Sequence, residues 1–168
     1  MDFLPDYLQE GMKVLFIGYN PGLRSAELGH HYAGRGNSFF PLLYKSGLIA
    51  EPLTYQEDAE LLPRYGFGLT NLAARPTAGI KDLNAGDYRE GRQRLQAVLE
   101  EYRPLIAAYV GVGVYRHFSG RDKSGLGLQR EQVVSGTADF VLPSTSGLNP
   151  LPLREKEEWF QKLAVTLI

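Results

Sequence analysis

Val14-Leu15-Phe16-Ile17-Gly18-Tyr19-Asn20-Pro21-Gly22 runs an apolar segment straight into a stiff polar turn. Four consecutive apolar residues, part β-branched and part aromatic, fit an interior strand of a parallel sheet. Gly18 allows something flat to come close to the backbone. Pro21 fixes φ, and Gly22 is expected to take a positive φ. Asn20 is thereby placed on a rigid bend at the carboxyl end of the strand, where open α/β sheets bind their ligands. An amide there orients a water or a base edge. It supplies neither a strong base nor a nucleophile.

Working outward, strands alternate with helices. A strand at 13–18 leads to a loop rich in Gly and His, Gly29 to Gly36. A helix follows at 37–47, capped by Asn37, with Phe39, Phe40, Leu43 and Tyr44 at helical spacing. A short helix at 57–64 and a strand at 67–71 come next. The helix at 87–102 is capped by Asp87 and carries Leu95, Val98, Leu99 and Tyr102 on one face. Pro104 ends it. A buried strand at 105–111, a helix near 112–119, an edge strand near 129–135 and a strand through Phe140-Val141-Leu142 complete the pattern. A last helix at 152–167 presents Trp159, Phe160, Leu163 and Leu167. The alternation predicts one domain over residues 1–168, a three-layer α/β/α sandwich with a mainly parallel central sheet.

Composition narrows the chemistry. Residues are 43% hydrophobic and 22% charged, as in an ordinary globular domain. The absence of cysteine excludes disulfides, thiol nucleophiles and cysteine-ligated zinc or iron–sulfur centres. No apolar run reaches the roughly 20 residues of a membrane span. The acidic opening Met1-Asp2-Phe3-Leu4-Pro5-Asp6 has no hydrophobic signal core, so a cytoplasmic location is expected. A net charge of −1 counts mildly against nucleic acid, because phosphate binding needs only a local basic face. Arg24, Arg35, Arg75, Lys81, Arg116 and Arg121 are candidates for such a face, against the plainer reading of solubilising charge.

Two further segments fall at the same end of the predicted sheet. Ser144-Thr145-Ser146-Gly147-Leu148-Asn149-Pro150 follows a strand, and its isolated apolar Leu148 suits a wedge entering a base stack. A core leucine anchoring the loop is the bland alternative. Tyr32, in Tyr32-Ala33-Gly34-Arg35-Gly36-Asn37, offers a stacking platform for a planar ligand, or simple packing. His30 and His31 point in different directions and have no evident third ligand, so no metal site is read there. Asp82 is eligible as a general base by type, although solvated loop carboxylates are far commoner. No dinucleotide fingerprint, Walker sequence or serine elbow is present.

Taken together, these segments resemble the mismatch-specific uracil-DNA glycosylase and thymine-DNA glycosylase family of the uracil-DNA glycosylase superfamily. Gly18-Tyr19-Asn20-Pro21-Gly22 matches the family's first motif, and Ser144 to Asn149 looks like its second. Gly68-Leu69-Thr70-Asn71-Leu72, Arg75-Pro76-Thr77 and Gly91-Arg92 are similar to further family blocks. The likeness spans Lys13 to Pro150. It implies the superfamily's α/β/α fold, a monofunctional glycosylase without cofactor or metal, and double-stranded DNA carrying a mismatched or damaged pyrimidine as partner. It places the water-positioning amide on Asn20 and stacking on Tyr32. Gly18, Tyr19, Gly22, Ser25 and Ser144 become substrate-pocket residues. Ser146, Gly147, Leu148 and Asn149 become the intercalating tip beside the widowed guanine. Some bacterial members carry Asn where Ser144 stands and Arg where Pro150 stands. The small residue looks more like the thymine-processing branch. The single-strand-selective branch begins its second motif with His, which is missing here.

The expected activity is hydrolysis of the glycosidic bond of uracil, thymine or ethenocytosine opposite guanine, by a monomer. The competing expectation is a non-catalytic module that binds a nucleotide or lesion in the same pocket.

Overall fold

A computed structural model describes residues 4–168; of the acidic opening stretch, Met1 to Phe3 lie outside the described residues. Strands β1 (Val14–Gly18), β2 (Phe67–Asn71), β3 (Ile106–Val110), β4 (Gly127–Leu128) and β5 (Ala138–Leu142) form a sheet of order β2-β1-β3-β5-β4. All neighbours are parallel except the β4–β5 edge pair. Helices α1 (Leu23–Leu28), α2 (Phe39–Lys45), α3 (Leu61–Tyr65), α4 (Ala85–Tyr102), α5 (Val112–Ser119) and α6 (Leu153–Thr166) connect them.

Strand periodicity sorts the core into two layers. Val14 and Phe16 of β1 pack with α2, α3 and α6 residues, Phe39, Phe40, Leu61, Phe160 and Leu163 among them. Leu15 and Ile17 face the other way, onto Leu95 and Leu99 of α4 and Val114, Tyr115 and Phe118 of α5. A strand buried on both faces reads as an unbroken apolar run, which is why Val14 to Ile17 do not alternate. Phe16 is fully buried between the edges of Phe39 and Phe67, at centroid distances of 5.2 and 5.6 Å. Burial of such a ring contributes about 2–3 kcal/mol. The free edge of β2 is covered by Tyr7, whose N–H and C=O exchange bonds of 2.9 and 3.0 Å with Leu69.

Several boundaries differ from expectation. Helix α4 begins before Asp87, which serves as the third residue of a capping box. Its N–H reaches Asn84 Oδ1 and its carboxylate accepts the Asn84 N–H, both at 2.9 Å. Gly86 inside the first turn disguised the true start. Asn37 does not cap the first long helix from the neighbouring position. Ser38 stands there, while Asn37 Oδ1 accepts the Phe39 N–H at 2.9 Å. The segment expected at 57–64 is a 3-10 turn, Tyr55–Glu60, running into α3. The edge strand expected at 129–135 is displaced to Gly127–Leu128. Beyond it Gln129 N–H still donates to the Asp139 carbonyl at 2.9 Å, and the buried Asp139 carboxylate then holds the chain, accepting the Val133 N–H at 3.0 Å and the Tyr109 hydroxyl at 3.1 Å.

Candidate active site

The segments that follow β1, β3 and β5 meet at the carboxyl end of the sheet. The connection leaving β1, through α2 and α3, and that leaving β3, through α5, pack on opposite faces of the sheet, the arrangement that opens a crevice between neighbouring strand ends. Main-chain bonds fix the turn after β1. Leu72 and Ala73 N–H groups donate to the carbonyls of Gly18 and Tyr19 at 2.8 Å, and Thr77 N–H donates to Pro21 at 3.2 Å. Gly22 has φ −70°, not the expected positive value, and a side chain there would meet nothing within 4 Å. It starts α1, and its freedom is not used.

Asn20 is half-buried and held by its nitrogen. Nδ2 donates to the Arg75 carbonyl at 2.9 Å and to Thr77 Oγ1 at 2.7 Å. The carbonyl can only accept, so the amide orientation is fixed by chemistry. The Thr77 hydroxyl in turn donates to the Gly79 carbonyl at 2.8 Å. Asn20 Oδ1 is left without a bond to the described residues, ready to accept from a water. Thr77→Val removes one of the two anchors. Turnover is expected to fall about tenfold, less than the about 10²-fold that a misplacement of about 1 Å can cost because the Arg75 anchor remains, with melting temperature little changed. Single-turnover kinetics beside thermal unfolding check it.

Arg75 supports this loop rather than facing solvent: it pairs with Asp87 at 2.7 Å and donates to the Asp82 carbonyl at 2.8 Å. Asp82 closes a 3-10 turn, Ile80–Asp82, accepting the Gly79 N–H at 3.2 Å. Arg116 and Arg121 are likewise engaged, with the Ser124 carbonyl and with Tyr115 and Glu131. Arg24 donates to the Ala33 carbonyl at 2.8 Å. Of the six candidate cations, Arg35 and Lys81 are the ones without a partner among the described residues.

Gly18 forms the floor. A Cβ there would stand 2.6 Å from Asn71 Oδ1 and 3.3 Å from the Tyr32 hydroxyl, so a side chain would displace the Asn71 amide. The flat group that approaches is the Asn71 carboxamide, at the end of β2 and 8% exposed. Among the described residues, its bond outside the sheet ladder is from Arg94 to its main-chain oxygen, which leaves the amide edge open. Sequence reasoning gave Asn71 no role. A polar amide closing a fully buried strand was the available signal.

Tyr32 has the left-handed φ of +57°, uncommon for a non-glycine residue. One face of its ring is already stacked on Phe39, at 3.8 Å and 16°. Its hydroxyl is buried without a hydrogen-bond partner among the described residues, and burial pushes its pKa well up. Bonds on both sides hold the strained residue. Asp58, fully buried, accepts the His31 N–H at 2.7 Å and meets His30 Nδ1 at 2.9 Å. Ser25 Oγ accepts the Ala33 N–H at 3.0 Å. Ser25, expected at the pocket wall, thus braces the Tyr32 loop. A cavity of about 530 Å³ lies against Tyr32, Asn37, Tyr44 and Tyr55, but neither Asn20 nor Asn71 lines it, so the base pocket is not placed there.

His31 Nε2–H donates to the Pro5 carbonyl at 2.7 Å. Burial, outweighing that bond and Asp58, lowers its pKa. The unfolded chain therefore takes up this proton first. Stability is complete above about pH 6.5 and is lost as pH falls below it toward the depressed folded value. His117, lowered by burial and by Arg92, acts with the same sign. Thermal unfolding from pH 8 to 5 should show this decline, and His31→Gln should flatten part of it.

Tyr19 packs its ring against Gly113 and edge-on to His117, whose own ring stacks on Tyr88 at 3.9 Å. Burial, then Tyr88, push the Tyr19 phenol to about 12, partly opposed by Arg116, so it stays protonated at neutral pH. Gly111 joins the first turn to the last loop: a Cβ on it would lie 3.8 Å from the Tyr19 ring and 3.9 Å from Ser144 Cβ. The last loop also touches the Tyr32 loop. Ser38 donates to the Thr145 carbonyl at 3.0 Å, and a Cβ on Gly147 would stand 3.2 Å from the Gly36 oxygen. Ser144 and Ser146 hydroxyls accept the N–H groups of Ser146 and Leu148 at 3.3 and 3.2 Å, and Asn149 Nδ2 reaches back to the Ser144 carbonyl at 3.4 Å. On this braced loop Leu148 is 94% exposed, so the core-anchor alternative fails.

Comparison with known proteins agrees with the fold. The family model described as "Uracil DNA glycosylase superfamily" matches residues 5–167. A solution NMR structure from Methanosarcina acetivorans, of a "putative Uracil DNA glycosylase", superposes with a TM-score of 0.68 at 19% identity, over 99% of this chain and 97% of that one. At that identity the likeness speaks for the fold.

Proposed function

The chain belongs to the uracil DNA glycosylase superfamily, and on that footing we propose that it is a monofunctional glycosylase of the mismatch-specific branch, releasing uracil opposite guanine from duplex DNA. The observation that carries the reading is the Asn20 amide, pinned by its nitrogen with its oxygen left without a bond among the described residues.

A pyrimidine swings out of the helix at a cost of a few kcal/mol, which a mismatch reduces. Leu148 fills the vacancy, with Ser146, Gly147 and Asn149 shaping the tip beside the widowed guanine. The extruded base lies on the free face of Tyr32, extending the Tyr32–Phe39 stack, and its edge meets Asn71. An amide offers a donor and an acceptor side by side, which suits the N3–H and neighbouring carbonyl of uracil. Gly18 leaves room for the Asn71 amide that reads the base edge, and Tyr19 and Ser144 line the approach. As the glycosidic bond breaks, electrons pass to the base, which leaves as an anion stabilised by main-chain N–H groups of the first turn. The sugar becomes oxocarbenium-like. Asn20 Oδ1 accepts a hydrogen bond from the water that adds to C1′. The amide takes no proton at neutral pH and so acts by orientation; the proton that the water loses on adding to C1′ goes to solvent or to the departing uracil anion, which leaves as neutral uracil.

The test is a labelled duplex with one guanine–uracil pair, incubated and treated with alkali. Strand cleavage is the expected result. Retarded migration without an abasic site would overturn catalysis and leave a lesion-binding module. Thymine and ethenocytosine in the same duplex report the range of bases accepted.

A further inference from the structure

Lys156 retains 5% of its accessible surface, yet no ion pair among the described residues involves it. An ammonium carries three donors. The one hydrogen bond found for Nζ among the described residues is long, 3.4 Å to the Ser146 carbonyl. The charge also lies in the first turn of α6, whose start has no side-chain cap, where the positive end of the helix dipole repels a cation. Desolvation accordingly lowers its pKa. A covered, under-bonded cation at the wrong end of a helix opposes folding unless an anion completes it.

Its position says which anion. Ser146, the residue it holds, lies two before the fully projecting Leu148. A wedge that enters a base stack brings the flanking backbone down onto the loop that carries it. We propose that Lys156 is a phosphate-binding residue: its ammonium, tethered to the Ser146 carbonyl beneath the wedge loop, takes a backbone phosphate of the duplex as counter-ion when Leu148 inserts. The four-carbon stem stays packed and only the tip moves outward, as lysine side chains commonly do. The inference rests on the DNA glycosylase reading.

A purely structural clamp on the loop would also lose function on mutation, so the readout must be charge-specific. Lys156→Met keeps the stem and removes the charge. Binding is followed by fluorescence anisotropy over a salt series, on a duplex with guanine opposite a stable tetrahydrofuran abasic site. Lys162→Met, a cation over the Trp159 ring on the same helix, is the control. Lys156→Met should weaken binding about tenfold at low salt and reduce the slope of log K against log salt by about one, while Lys162→Met leaves the slope unchanged. Without DNA the Lys156→Met protein should melt at or above the wild-type temperature, because an uncompensated buried charge has gone. Lys156→Arg should restore most of the slope. If Lys156→Met fails to fold, Lys156→Gln gives the same slope reading.

An unchanged slope overturns the assignment even where affinity falls, since that is the clamp's signature. A wild-type chain that does not bind the duplex removes this inference together with the glycosylase reading. Normal wild-type binding with an unchanged variant slope removes Lys156 alone.

Discussion

Replacing Asn20 with alanine is expected to slow release of uracil from a guanine–uracil duplex by about two orders of magnitude or more, the contribution typical of a positioned catalytic group. Folding should be spared. Asn20 is half-buried, and the turn that carries it is closed by the main-chain bonds of Leu72, Ala73 and Thr77, which do not involve its side chain. Truncation does leave the Arg75 carbonyl and Thr77 hydroxyl without their donor, but water enters a half-open site and serves both. Single-turnover cleavage measured beside thermal unfolding separates the two effects. Substrate binding should change little, because the amide addresses the water rather than the base. A rate within about threefold of wild type would mean that another group activates the water. Asp82 is the group to test next: its carboxylate holds the Gly79 N–H, and Thr77 bonds the Gly79 carbonyl, so it shares the loop that anchors Asn20. Asn20→Ala combined with Asp82→Asn would then abolish the residue of activity.

The parts of the fold that were legible in the sequence are those set by one-dimensional pattern. Val14 to Ile17 announce a doubly covered strand because both faces are buried. The stripe of Leu95 and Leu99 announces α4 because helical spacing brings them onto one core. Local chemistry against expectation explains the misses. Asn84 and Asp87 satisfy each other across a helix start that Gly86 obscured. Residues 129–135 look like a strand but hang on the Asp139 carboxylate.

At the site, the two loop motifs were readable because turn residues in unusual company stand out. What was not readable is contact across distant segments. The roles of Thr77 and Ser25 follow from partners 57 and 8 residues away, and that of Lys156 from a loop 10 residues away on the far side of two prolines. Gly18 illustrates the boundary. Its identity pointed to a close approach, but only the sheet register, Gly18 beside Asn71, says what approaches.

The second large effect concerns Leu148. Its 94% exposure means that Leu148→Ala removes almost no buried apolar surface from the free protein, so stability should be unchanged. In the complex the same side chain replaces the extruded base in the stack, and its loss leaves the unstacked duplex free to recapture the pyrimidine. Single-turnover cleavage of a guanine–uracil duplex should fall by about tenfold or more, in line with the few kcal/mol that unstacking costs. Hold on the abasic product should weaken as well, because the wedge braces product and substrate alike. Where release of product limits turnover, multiple-turnover rates should therefore fall less than single-turnover rates, and the burst of product should flatten. Asn20→Ala should produce the opposite pattern, a loss confined to the chemical step. A base already unpaired should need the wedge less, so single-stranded uracil DNA should show a smaller Leu148→Ala effect than the duplex. Equal losses on single and double strands would remove the wedge role, since a side chain acting only in the vacancy of a duplex has nothing to fill on a single strand.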